Sequence, residues 1–245
     1  PNPFVYLVVF FSTICSYNFY WLLSKWYFAT TKLIFTFFKS HLSFFIIFLA
    51  ALIGACYFLV SVSVIIPYVF WGMVFTLLYS LPLWPLFFSK KLQRIGFFKT
   101  ILLAFTWAYV TTILPAVSLL SNDFFTVLIL FAARFFFMLL LCIIFDKRDI
   151  TVDKTNGLHS LATDTHSEKL TVIINIVFVA YFIMGLLLRY HFNDKSQMFA
   201  FLITGGFVWF VYTRSRKKQG YLFYYFLVDG LMLISAVASY LASQV

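Results

Sequence analysis

Long apolar runs of about 20 residues dominate the chain and are separated by short polar segments. An α-helix needs about 20 residues to cross the roughly 30 Å hydrocarbon core of a bilayer. The runs do not alternate apolar and polar positions, as the strands of a membrane barrel do. The pattern therefore predicts eight transmembrane helices, at about 3–23, 41–60, 64–88, 101–119, 124–145, 170–190, 197–213 and 221–242.

Composition supports the same fold class. Hydrophobic residues make up 63% of the chain and charged residues 11%, against roughly 25% charged residues in soluble domains. A soluble domain of this size could not cover so much apolar surface, because much of any folded surface faces water. We therefore predict an all-α integral membrane protein, with residues 1–245 forming a single transmembrane helical domain.

The basic residues orient the predicted helices. Fifteen of the 18 lysines and arginines fall in the segments 24–40, 89–100, 146–169 and 214–220, which follow alternate runs. The positive-inside rule makes these four segments cytoplasmic, and we expect the bacterial inner membrane as the location. The net charge of +10 needs no nucleic-acid partner, because topology and anionic lipid headgroups explain it.

Two charges lie inside the predicted spans. Arg134 and Asp229 lie about 18 Å and about 13 Å from the cytoplasmic ends of their helices, at 1.5 Å per residue. Their similar depth allows an ion pair between them. Separate contacts with backbone groups or water are an equally good interpretation.

Few other residues suggest chemistry. Cys15, Cys56 and Cys142 all lie within apolar runs, so we expect neither a disulfide nor a zinc site. No nucleotide-binding loop or nucleophile motif is present, and no catalytic residue can be assigned from the sequence.

One polar segment is unusual. Five of the eight acidic residues fall between positions 146 and 168. If the helix at 124–145 continues, Asp146, Asp149 and Asp153 share one helical face. Three carboxylates on one face suit Mg²⁺, and the neighbouring Arg148 suits phosphate. An ordinary charged loop at the membrane surface is the alternative interpretation.

The segment FDKRDITVDKTNGLHSLAT at 145–163 resembles the second aspartate-rich motif of the UbiA superfamily of intramembrane prenyltransferases. The stretch LYSLPLWP at 78–85 is similar to that family's tyrosine-containing segment at the end of helix four. The resemblance implies a UbiA-like bundle of nine helices, one of them preceding Pro1, around a cavity open to the cytoplasm. It also implies Mg²⁺ as cofactor and a prenyl diphosphate as substrate.

The family's first aspartate-rich motif is missing. Its place corresponds to SYNFYWLLSKW at 16–26, where Asn18 remains and the aspartate positions are Phe19, Leu22 and Trp26. No carboxylate occurs before Asp123. At least one metal ion of the family's pair would therefore lack protein ligands.

Two functions follow from the resemblance. The first is prenyl transfer from a prenyl diphosphate to an acceptor, with Mg²⁺ on Asp146, Asp149 and Asp153. Lys25, Lys90, Lys91 or Arg148 would then compensate the diphosphate charge. The second is a catalytically silent relative that binds lipid or acts as a structural subunit among other membrane proteins. The intact second motif favours the first function, and the absent first motif favours the second.

Overall fold

The described part of the chain contains eight helices that are long and apolar enough to cross a membrane, which confirms the predicted fold class. The computed structural model describes residues 2–27, 40–80, 96–155, 159–192, 195–217 and 219–244, and this part of the chain contains no strand. Helices suit a bilayer because all their backbone hydrogen bonds are made within one segment. The chain is an all-α integral membrane protein.

The helices follow the predicted runs closely. The six longest of the described helices are, in chain order, α1 (Pro3–Tyr27), α2 (Leu42–Val60), α3 (Ile66–Ser80), α6 (Phe124–Thr155), α8 (Ser167–Phe192) and α9 (Lys195–Ser215). A 3₁₀ turn at Ser63–Ile65 precedes α3. α4 (Gly96–Ala108) continues as a π-helical segment at Tyr109–Ile113, and a π-helical segment at Phe223–Val228 leads into α10 (Asp229–Ala242). Two short helices are α5 (Val117–Leu120) and α7 (Leu161–Asp164).

The chain folds into two compact units, the first formed by 1–94 with 109–121 and the second by 95–108 with 122–245. In the first unit, α1 packs along α2, and a small apolar cluster of Val5, Val8 and Ile65 lies beside Phe58 and Val117. Much of the remaining apolar surface of these helices is exposed, which suits contact with lipid.

The second unit holds the larger core. Its centre is α6, which packs against α4 and α8, while α9 packs against α8 and α10. Residues on every side of the middle of α6 are buried, as expected of a helix surrounded by others. The buried set includes Phe137, Leu140, Leu141, Ile143 and Ile144.

α6 has 32 residues, about 48 Å at 1.5 Å per residue, so it is longer than the roughly 30 Å hydrocarbon core. Its apolar sequence ends at Phe145, and the charged part at 146–155 remains helical. The structure thus confirms that the helix continues through the three aspartates.

Asp123 directly precedes α6 and caps its opposite end. Its Oδ1 accepts a hydrogen bond from the N–H of Thr126 at 3.1 Å, and its Oδ2 accepts one from the Thr126 hydroxyl. The Nε2 of His191, at the end of α8, lies 3.7 Å from Oδ2. The ends of α6 and α8 that carry few basic residues are therefore adjacent, as the alternating topology requires.

We predict a pH-dependent contribution from this cap. Hydrogen bonds from Thr126, helped by the nearby His191, lower the pKa of the Asp123 carboxyl. Because the folded pKa is below the unfolded value of about 3.9, the charged cap stabilises the fold above that value and is lost as pH falls through the folded pKa. Asp123→Ala should lower the melting temperature at pH 7, and the difference should shrink toward pH 3.

Thermal unfolding in detergent measures this difference. Asp123→Asn is the matched control, because asparagine caps helices about as well as aspartate. It should keep most of the stability at pH 7 and remove the pH-dependent part. Equal melting temperatures for the native chain and Asp123→Ala at pH 7 would contradict the prediction.

Candidate functional site

The charged end of α6 carries the three aspartates, and the surrounding elements place each one differently. Asp146 faces α4, where the hydroxyl of Thr100 donates a hydrogen bond to its Oδ2 at 2.5 Å. The same Thr100 oxygen accepts a hydrogen bond from the N–H of Leu161 at 3.2 Å. Thr100 is buried, so one hydroxyl joins α6, α4 and the start of α7.

Asp153 lies two helical turns further along the same face. It is buried, and its carboxylate is hydrogen-bonded to Ser160. The positive charge of Lys99 attracts both Asp146 and Asp153. These two carboxylates therefore share a polar region with a lysine, a threonine and a serine.

Ser160 belongs to a tightly packed turn. It caps α7, with its N–H donating to Thr163 Oγ1 at 2.7 Å and its side chain accepting from the Thr163 N–H at 3.3 Å. Asp164, at the end of α7, accepts a hydrogen bond from the Gly96 N–H at 3.2 Å, and His159 Nδ1 lies 2.6 Å from its other oxygen. The turn thus docks directly on the first residue of α4.

Asp149 points elsewhere and pairs with its neighbour. Arg148 donates two hydrogen bonds to it, from Nε and Nη2, each at 2.7 Å. The guanidinium of Arg148 also lies over the rings of Phe145, Tyr224 and Tyr225, at 4.9, 5.3 and 5.0 Å from their centroids. Bidentate pairing and ring stacking both suit arginine. The pair holds the end of α6 against the π-helical segment before α10.

The three carboxylates consequently do not form one cluster. Among the described residues, no three of His, Cys, Asp and Glu are arranged to hold a metal ion. Mg²⁺ prefers an octahedral set of oxygens, and both oxygens of Asp149 already accept hydrogen bonds from Arg148. As arranged, the triplet does not fit a single Mg²⁺, and metal binding stays a prediction from the sequence.

The basic residues expected to bind diphosphate are also separated. Arg148 is committed to Asp149, and Lys25 lies over the ring of Trp21, 5.3 Å from its centroid. Lys90 and Lys91 lie outside the described residues. Sequence reasoning missed Lys99 and Thr100 as site residues, although they are a polar pair near the start of an otherwise apolar helix and lie within the segment 89–100 that was predicted to be cytoplasmic.

The region of the absent first motif is apolar and packs within its own unit. Asn18 donates to the Ile14 carbonyl at 2.8 Å, one turn back in α1. The Phe19 ring lies 6.2 Å from that of Phe48 on α2, and Leu22 and Trp26 are half-buried. Tyr79, in the second stretch that carries the resemblance, stacks on Tyr20 at 5.1 Å; residues 81–85 of that stretch lie outside the described residues.

The two charges within the spans do not pair with each other. Arg134 donates a hydrogen bond to Ser235 Oγ at 3.2 Å and lies over the Phe137 ring, 5.6 Å from its centroid. Asp229 is exposed and makes none of the ion pairs found among the described residues. Similar depth did not bring the two side chains together, and the partner of Arg134 is a side-chain hydroxyl, which neither interpretation had named.

Comparisons with protein-family models, curated proteins and solved structures give no match to this chain.

Gly96 gives a direct test of the docked turn. A Cβ at this position would overlap the Ser160 nitrogen and lie 2.5 Å from the His159 carbonyl carbon, which are backbone atoms that cannot rotate away. Gly96→Ala should therefore displace the turn and cost about 1–3 kcal/mol, as overpacking typically does. A lower melting temperature and faster proteolysis between 156 and 166 would report it.

Gly230→Ala is the matched control, because Gly230 also lies in a helix, α10, and a Cβ there meets no atom within 4 Å. It should leave both measurements unchanged. A Gly96→Ala protein as stable and as protease-resistant as the native chain would show that the turn does not pack on α4 in this way.

Proposed function

We propose that this chain is a UbiA-like membrane protein that does not ionise prenyl diphosphates and serves as a lipid-binding or structural subunit among other membrane proteins. The pairing of Asp149 with Arg148 carries the proposal. It joins a candidate metal ligand to a candidate diphosphate ligand, so both oxygens of Asp149 and two of the three guanidinium nitrogens of Arg148 are already paired. Breaking a bidentate pair stacked on three rings would cost free energy before any substrate bound.

The other carboxylates support the same conclusion. Asp146 and Asp153 accept hydrogen bonds from Thr100 and Ser160, so their oxygens contribute to holding α6, α4 and α7 together. The leaving diphosphate in prenyl transfer needs its charge neutralised, which the family does with metal ions between two carboxylate clusters. Phe19, Leu22 and Trp26 offer no oxygen for a hard cation.

Prenyl transfer is kept as a second candidate because of one observation. Asp146 and Asp153 lie on one face of α6 with Lys99 nearby. Two carboxylates and a lysine could bind a metal ion with an anionic phosphate group. This candidate is an integral membrane prenyltransferase with one aspartate cluster.

We predict no Mg²⁺-dependent turnover by the full chain. Purified protein in nanodiscs made with a bacterial membrane-lipid extract, which supplies acceptors for the prenyl group, would be incubated with Mg²⁺ and farnesyl diphosphate, and released diphosphate would be measured against protein-free discs. Release should equal that of the blank. Mg²⁺-dependent release that Asp146→Asn abolishes, while Glu168→Gln does not, would overturn the proposal in favour of the second candidate.

A variant tests the cause of the expected inactivity. Phe19→Asp, Leu22→Asp and Trp26→Asp together restore carboxylates at the positions of the first motif. Diphosphate release by this variant, with none by the native chain, would assign the loss to that motif.

We also propose that the chain lies in a bacterial inner membrane with the aspartate-rich end of α6 in the cytoplasm. The distribution of basic residues supports this orientation. We predict that cysteines at Lys91 and Lys217 are labelled by a membrane-impermeant maleimide only after permeabilisation. A cysteine at Tyr190, which is 91% exposed at the end of α8, should be labelled in intact spheroplasts.

The labelling requires a chain without its own cysteines, with Cys15, Cys56 and Cys142 replaced by alanine. Labelling of Lys91→Cys and Lys217→Cys from opposite sides would contradict the alternating topology.

A further inference from the structure

An apolar groove runs between α8 and α9 on the outer surface of the second unit. Its volume is about 500 Å³, and aromatic side chains form much of its wall. The lining includes Asn175, Phe178, Val179, Phe182, Gly206 and Trp209. No residue of the aspartate-rich segment lines it, so the groove is separate from the candidate site.

The two adjacent glycines of α9 have different roles. A Cβ at Gly205 would lie 2.6 Å from the Phe182 ring, so this glycine lets α8 and α9 approach each other. A Cβ at Gly206 would meet no atom within 4 Å, so its backbone faces open space. Small residues on the outer face of a membrane helix allow another helix to approach closely.

Asn175 is the polar side chain of the groove. It lies inside the predicted apolar run at 170–190, between Ile174 and Ile176, and is exposed. Its amide has no hydrogen-bond partner in the part of the chain that the structure describes. An amide facing hydrocarbon is costly unless its donors and acceptor are satisfied. The occupant of the groove must therefore supply hydrogen-bonding atoms at this depth, which a hydrocarbon chain lacks.

We propose that the groove binds the same groove of a second copy of this chain, with the two Asn175 amides hydrogen-bonded across a two-fold axis. An amide carries both a donor and an acceptor, so two copies satisfy each other with a pair of N–H···O bonds. Copies inserted in the same orientation have Asn175 at the same depth, and a two-fold axis along the membrane normal brings these residues face to face. Another partner would need a polar residue at that same depth.

Cross-linking in native membranes tests the contact. Val179→Cys, one helical turn from Asn175 and lining the groove, would be placed in the full chain with Cys15, Cys56 and Cys142 replaced by alanine. Mild oxidation should give a disulfide-linked species of twice the chain mass. Leu233→Cys on α10 is the control, because it is 68% exposed but lies outside the groove. Cross-linking of Val179→Cys no greater than the control would overturn the proposal.

Two further variants measure the contributions of the amide and the glycine, with dimer dissociation followed in lipid bilayers by single-molecule photobleaching. Asn175→Leu should weaken the dimer by about 3- to 30-fold, the range found for hydrogen bonds between membrane helices. Gly206→Phe should abolish the dimer by filling the groove. Both side chains suit lipid contact, and unchanged melting in detergent would show that each variant folds.

The other occupants give different results. A cross-link to a species of another mass would mean a different membrane protein and would overturn the proposed second copy. A monomeric chain whose tightly bound phospholipid is lost on Gly206→Phe would assign the groove to lipid instead. A dimer that survives Gly206→Phe would show that the copies meet at another surface.

Discussion

The structure depends on one constraint: hydrocarbon supplies no hydrogen-bond partners, so each polar group in a span needs one within the protein. The hydroxyls of Thr76 and Thr106 donate to carbonyls one turn back, at 2.9 and 2.7 Å, and the amide of Asn18 does the same. Arg134 uses Ser235 on another helix. Most polar side chains inside the spans are hydrogen-bonded within the protein in this way. The polar groups that could bind a ligand therefore lie mainly at the helix ends.

The same requirement governs the aspartates where α6 leaves the apolar region. Asp146 and Asp153 are largely removed from solvent and accept hydrogen bonds from Thr100 and Ser160. Asp149 is more accessible and pairs with Arg148. A carboxylate that holds helices together is a poor candidate for a metal ligand, because binding a metal would break a contact on which the packing depends. This argument supports the silent function more strongly than the missing first motif alone.

The spans could be predicted from the sequence because run length and charge distribution depend only on the solvent around each helix. The sequence placed the three aspartates on one face only on the condition that α6 continued past Asp146, and the structure meets that condition. The partners of these side chains could not be predicted, since Thr100 is 46 residues from Asp146 and the fit of Gly96 against Ser160 depends on how separate helices pack. The ion pair between Arg134 and Asp229, one of two equal interpretations, was argued from depth alone, which leaves the direction of each side chain around its helix undetermined.

The proposed function also explains why one motif has carboxylates and the other has apolar residues. In α1, the positions of the first motif make ring and apolar contacts, such as that of Phe19 with Phe48, which need no charge compensation. In α6, the carboxylates have partners within the protein that stabilise the charged end of the helix. A two-metal enzyme would need both clusters at once, because neither neutralises a diphosphate alone. A protein that uses α6 only to join helices needs only the carboxylates of α6, so apolar residues at the positions of the first motif do not impair it.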